Sequence, residues 1–170
     1  ILSQGIHITS NSDVVVYAHI YANARSDATL VLPTQTAGRD YYTMSFTQKV
    51  TGSNRQNEFL IIGLEDSTYI DITPTAGTLS GTHSKGVKYT KMLNKGQVYQ
   101  IQSDSDLTAS KIASYGTNTS TCKRIAVFSG SSFTPLGCTS ASSGDNLFQQ
   151  IYPVSAWGKT FVTAPFKTRY

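Results

Sequence analysis

Long apolar runs are missing from this 170-residue chain. No stretch approaches the roughly 18 consecutive apolar residues that a membrane-spanning helix needs, so membrane insertion is not expected. The opening Ile1-Leu2-Ser3-Gln4-Gly5-Ile6 also lacks the charged start and apolar run of a secretory leader, which reads as a soluble fragment or mature segment. Charge is sparse at 14%, and the 14 Lys and Arg residues are scattered, never massed into a basic stripe with interleaved aromatics. A phosphate backbone needs such a stripe, so nucleic acid is not an expected partner. The two cysteines form no Cys-x-x-Cys pair, which argues against thioredoxin-like exchange and zinc fingers. His7, His19 and His83 have no ligand spacing. No Gly-x-Ser-x-Gly elbow is present, and Lys95-Gly96 and Gly158-Lys159 read as hairpin turns, not as phosphate loops. An enzyme, a metal site and a cofactor are therefore not expected.

What the chain has is Ser and Thr, 43 together, and ten Tyr. Apolar residues follow a period of two, broken by Gly, Asn, Asp and Pro turns, with no helical run of ten residues. Candidate strands fall at 6–10, 13–20, 28–33 and 40–47, then at 58–65, 67–73, 86–92 and 97–103, then at 108–114, 123–130, 146–152 and 159–165. The turns Thr36-Ala37-Gly38-Arg39, Asn94-Lys95-Gly96-Gln97 and Ala156-Trp157-Gly158-Lys159 align these thirds, each glycine followed three residues on by Tyr41, Tyr99 or Phe161. The expectation is one β-rich module over 1–170 with three repeats, 5–47, 58–103 and 108–165. Each would be a four-stranded antiparallel sheet. Stacked radially they would be propeller-like or part of a larger propeller, with a β-sandwich and a three-sided β-prism as alternatives.

The run Gly5-Ile6-His7-Ile8-Thr9-Ser10, Val14-Val15-Val16-Tyr17-Ala18-His19 and Asp27-Ala28-Thr29-Leu30-Val31-Leu32-Pro33 is followed by Glu58-Phe59-Leu60-Ile61-Ile62-Gly63-Leu64-Glu65-Asp66-Ser67-Thr68. Then come Leu93-Asn94-Lys95-Gly96-Gln97-Val98-Tyr99-Gln100, Asp106-Leu107-Thr108, Ile125-Ala126-Val127-Phe128-Ser129-Gly130, Asp145-Asn146-Leu147-Phe148 and Pro153-Val154-Ser155-Ala156-Trp157-Gly158-Lys159. In that order the segments resemble the N-terminal domain of IgGFc-binding protein and its bacterial and animal extracellular relatives. The resemblance implies a noncatalytic secreted or cell-surface module concerned with binding, adhesion or matrix assembly. Its implied partners are proteins, including adjacent modules or other copies. The chain departs from the family pattern in placing Cys122 before the Val127-Phe128-Ser129-Gly130 strand and Asn146 where a His is usual.

In that extracellular setting Cys122 and Cys138 are expected to form a disulfide across the inserted loop, contributing about 3 kcal/mol. Asn118-Thr119-Ser120 is a glycosylation acceptor in a Gly/Ser/Thr-rich insertion. Glu65-Asp66 and Asp104-Ser105-Asp106 read as turn-forming acids. Tyr41, Tyr42, Tyr69, Tyr89, Tyr99 and Phe161 have the context of core or inter-sheet packing. Tyr21, Tyr115, Tyr152 and Trp157 lie at strand ends or loops and make a possible recognition surface, although Trp157 beside Gly158 also suits the end of a sheet stack. A lectin-like alternative would use exposed Trp157 or Tyr115 to stack on a sugar ring.

Overall fold

The computed structural model describes residues 4–22, 25–135 and 144–164. Among them run β1 (Val16–Ala22), β2 (Arg25–Val31), β3 (Asp40–Tyr42), β4 (Asn57–Gly63), β5 (Thr68–Thr73), β6 (Tyr89–Leu93), β7 (Val98–Ser103), β8 (Lys111–Tyr115), β9 (Ile125–Thr134) and β10 (Asp145–Gln150). The strands form two four-stranded sheets, β10-β9-β4-β7 and β3-β8-β5-β6, and a separate β1–β2 hairpin, with antiparallel pairing throughout. The all-β expectation holds, but neither sheet closes into a barrel or propeller ring.

Nor does each third of the chain build its own sheet. The cause is the short connection between β4 and β5, which turns a corner where a hairpin was expected. Ser67 takes a left-handed φ of 52° there. Its amide donates to Asn94 Oδ1 at 3.0 Å, and Thr68 Oγ1 donates to the Glu65 carbonyl at 2.6 Å. The corner sends β5 into the opposite sheet, leaving β4 to pair with β7 and β9. The three aligned glycines also serve different ends. Gly96 has φ +80° in the β6–β7 turn, which crosses from one sheet to the other and is not the hairpin expected at Lys95-Gly96, whereas a Cβ on Gly38 would lie 2.5 Å from Pro153 Cβ.

Alternation then decides what is buried. Phe59, Ile61, Ile101, Ile125 and Val127 from one sheet share a single core cluster with Tyr41, Ile70, Ile72, Leu93 and Ile112 from the other. Two sheets meeting across one core is the sandwich arrangement. Tyr41 fastens its edge: its hydroxyl donates to the Ile125 carbonyl at 2.8 Å and accepts from the Gly38 amide at 2.9 Å. Burial pushes this phenol above its ordinary pKa, which keeps the donated proton in place. The β1–β2 hairpin is tied to β10 by side chains: Asp27 Oδ2 accepts from the Phe148 amide at 2.7 Å, Thr29 Oγ1 from the Gln150 amide at 3.0 Å, and Asp145 Oδ1 from the Ser26 amide at 2.7 Å.

The expected Cys122–Cys138 bridge is corrected. Cys122 is a free, exposed thiol, and Cys138 lies outside the described residues. The insertion closes on its own hydrogen bonds, Gly116 N to Thr121 O at 2.8 Å and Thr121 N to Asn118 O at 3.1 Å. The Cys122 sulfur faces outward to Arg39, whose Nη1 donates to it at 3.6 Å.

Candidate protein-binding face

The residues of β3, β8, β5 and β6 that do not enter the core make one continuous outer face. Register puts Tyr115 beside Tyr69 and Tyr69 beside Met92, giving an apolar row across three strands. The next row is Asp40, Ala113, Asp71 and Thr90, and beyond it Tyr42 sits beside Lys111. The Tyr69 and Tyr115 rings stack, with centroids 5.9 Å apart and planes at 16°. Period-two alternation alone would have put Tyr69, Asp71 and Thr73 on one face, yet the sequence gives no sign that Lys88, Met92 and Tyr42 join them.

Asp71 is the polar centre of this face. Its Oδ1 accepts from Thr90 Oγ1 at 2.6 Å and from the Tyr115 hydroxyl at 3.1 Å, while Lys88 Nζ bonds Oδ2 at 2.9 Å. Desolvation alone would raise this carboxyl's pKa; the bonds from Thr90, Lys88 and Tyr115 outweigh it and hold the group below its usual 3.8. A depressed folded pKa means the stabilisation is fully present above the unfolded value near 3.8. It is lost as the pH falls through the lower folded value. Asp71→Asn is therefore expected to reduce stability at neutral pH and to flatten the acid limb of the stability curve below about pH 4. Urea unfolding at a series of pH values would measure this, and parallel wild-type and variant curves would refute the assignment.

At the β3 end, Trp157 lies against Tyr42 with ring centroids 5.9 Å apart. Trp157 is 56% exposed, so it is a surface side chain and does not cap the core as its place beside Gly158 suggested. It leaves a 3-10 turn at Val154–Ala156 that begins at Pro153, and its amide closes the turn on the Val154 carbonyl at 3.1 Å. Tyr152, also exposed, precedes the same turn. Two of the four expected recognition aromatics, Tyr115 and Trp157, thus belong to this sheet or its β3 border, while Tyr152 follows β10 of the other sheet. Tyr21 sits apart on the β1–β2 hairpin, its ring 6.3 Å from that of His19. Phe161, expected inside, is 79% exposed.

Of the expected turn acids, Asp106 caps its own turn, whereas Asp66 and Glu65 tie their corner to distant segments. Asp66 Oδ1 accepts from the Lys95 amide at 3.0 Å, Asp106 Oδ1 from the Thr108 amide at 2.8 Å, and Glu65 Oε1 from the Arg124 amide at 3.1 Å. Among the described residues no three His, Cys, Asp or Glu side chains gather where a metal could bind, and no helix is long and apolar enough to cross a membrane.

Residues 27–170 match the family model described as IgGFc binding protein, a span that opens within β2 and takes in both four-stranded sheets. The chain belongs to the IgGFc binding protein family. No curated protein and no solved structure matches it. Membership of the IgGFc binding protein family makes the chain a noncatalytic, extracellular, protein-binding module. For such a module an outer face of packed aromatics around the bonded Asp71 carboxylate has a direct use: rigid rings bury large area at little entropic cost.

Proposed function

We propose that residues 1–170 act as one adhesive or matrix-building module that grips protein partners through the outer face of β3-β8-β5-β6 and the Tyr42–Trp157 corner. The observation that carries this is the exposed Trp157 laid on Tyr42 at the border of a sheet face already organised around Asp71. Tryptophan and tyrosine dominate the energetically decisive positions of protein interfaces. The family's name makes the Fc fragment of immunoglobulin G the first probe, with a second copy of this chain as the other. Trp157→Ala is expected to weaken binding to the recognised probe at least tenfold in a surface-plasmon measurement, with no change in melting temperature. Binding that is undiminished in that variant refutes the assignment. A glycan array that lights up only with Trp157 intact would move the reading to carbohydrate.

We further infer that Asn118 carries an N-linked glycan when the chain passes through a eukaryotic secretory route. Asn118 is exposed, and its described side-chain hydrogen bonds all use Oδ1, which accepts from Ser120 Oγ at 2.7 Å and Thr121 Oγ1 at 2.7 Å. The amide nitrogen that takes the sugar is therefore left to solvent, beside the acceptor hydroxyl. Enzymatic deglycosylation is expected to give one mobility step, absent in Asn118→Gln; no step in the parent chain refutes it.

A further inference from the structure

A duplication is hidden in the strand order. Pro33-Thr34-Gln35-Thr36-Ala37-Gly38 and Pro153-Val154-Ser155-Ala156-Trp157-Gly158 build the same Pro-led 3-10 turn. Pro33 enters at φ −56° and ψ 146°, Pro153 at −64° and 155°; the chain leaves at Ala37 with −67° and 145°, and at Trp157 with −72° and 138°. The hairpins leading in agree in register. Tyr17 faces Leu30, three positions before Pro33, and Phe128 faces Gln150, three positions before Pro153. Beyond the turns, Arg39, Tyr41, Thr43 and Phe46 are answered by Lys159, Phe161, Thr163 and Phe166.

The two copies differ in what covers them. β9 pairs with β10 on one edge and β4 on the other, whereas among the described residues β1 pairs with β2 alone. Phe128 is accordingly 8% exposed and its counterpart Tyr17 69%. Tyr41 is 2% exposed, on a strand paired with β8, while Phe161 lies open. Buried Thr43 donates to the Leu107 carbonyl at 2.6 Å and accepts from the Ser110 amide at 3.0 Å, but its counterpart Thr163 is exposed.

We propose that β1–β2 and residues 153–164 are the two half-joints of a tandem array, each filled by a neighbouring unit of this same fold. A strand of the β4 kind would pair with β1, and a strand of the β8 kind would take residues 159–163 as its own β3. The contacts required are those already made once inside the chain, by β9 on β4 and by β3 on β8. They continue from a docked interface, since Pro153 already meets Gly38 and Trp157 already meets Tyr42. A free second copy cannot fill the joints, because its β4 lies between β7 and β9 and its β8 between β3 and β5. The occupant of 159–163 is thus a unit that begins from residues 153–164 itself, and the occupant of β1 a unit that ends in β1–β2. This holds whatever the outer face binds.

The test joins the full chain 1–170 to a second copy of residues 51–170. The expected result is a second cooperative unit in which the amides of 159–163 are protected from hydrogen exchange. Phe161→Asp should abolish that unit in the joined chain, yet shift the melting temperature of the single chain by less than about 2 °C. Tyr41→Asp, the matched change at the covered copy, should abolish cooperative unfolding in the single chain. A joined chain whose added residues stay unfolded, whose residues 159–163 exchange as fast as in the single chain, or which tolerates Phe161→Asp overturns the proposal.

Discussion

Asn57→Ala is expected to cost about 3–4 kcal/mol, because it strands several buried polar groups at once. Asn57 is fully buried at the start of β4. Its Nδ2 donates to Ser45 Oγ at 2.8 Å and to the Phe46 carbonyl at 2.9 Å, and its Oδ1 accepts from the Leu107 amide at 3.0 Å. Ser45 Oγ passes the link on to the Gly130 carbonyl at 2.7 Å. One side chain therefore holds the segment after β3, the loop before β8 and, through Ser45, strand β9. The isosteric Asn57→Asp separates bonding from packing. It keeps the acceptor for Leu107 but turns an oxygen on the Phe46 carbonyl and buries a charge, so at neutral pH it should be no milder than alanine. Lowering the pH should recover part of the loss, since a protonated carboxyl donates again. Urea midpoints at pH 7 and pH 4 would measure both, and an alanine variant within about 0.5 kcal/mol of the parent would refute the network's role.

Nothing in the local sequence announces that role, and the reason is general to this fold. Alternation records which side of a strand is apolar, and so the strand positions from β1 to β10 were legible, as was Tyr41 as core. It records nothing about which strand lies next door. β4, β7 and β9 are brought together by a four-residue corner at 64–67 whose left-handed residue is a serine, not the glycine that usually marks such a bend. Residues 6–10 and 159–164 alternate like strands but form none, for want of a neighbour. Position matters in the same way for the binding face. Tyr69 and Asp71 could be placed on a strand by inspection and Tyr115 at a strand end or loop, but Lys88 and Thr90 reach Asp71 only through the β5–β6 register. The repeat most visible in the sequence, three glycines each leading an aromatic, equates Gly96 with two positions unlike it; the repeat the structure bears out pairs Gly38 with Gly158, and its other mark is a proline five residues earlier.

Gly130→Ala is the substitution expected to do most damage for one added carbon. Gly130 lies in β9, opposite Glu58 of β4 and Phe148 of β10. A Cβ there would sit 1.8 Å from the Leu147 carbonyl oxygen and 2.5 Å from its carbon. Both are backbone atoms of β10, at the register shift between Asp145 and Leu147, so no rotamer change relieves the clash. Either β10 moves off β9 or β9 buckles. Overpacking a core commonly costs 1–3 kcal/mol, and a backbone obstacle on a central strand belongs at or above the top of that range, about 3 kcal/mol. For a chain of this length that is a fall of about 6–12 °C in melting temperature. The consequence reaches the function, since β10 leads directly into the 3-10 turn that lays Trp157 on Tyr42, and also anchors the β1–β2 hairpin through Asp27 and Thr29. Displacing β10 should therefore weaken binding at the Tyr42–Trp157 corner even where the chain remains folded, and should raise hydrogen exchange across β2 and β10 together. Thermal melts with exchange mapping would check this, and a variant that melts within about 2 °C of the parent would show that β10 does not approach β9 as closely as the 1.8 Å geometry requires.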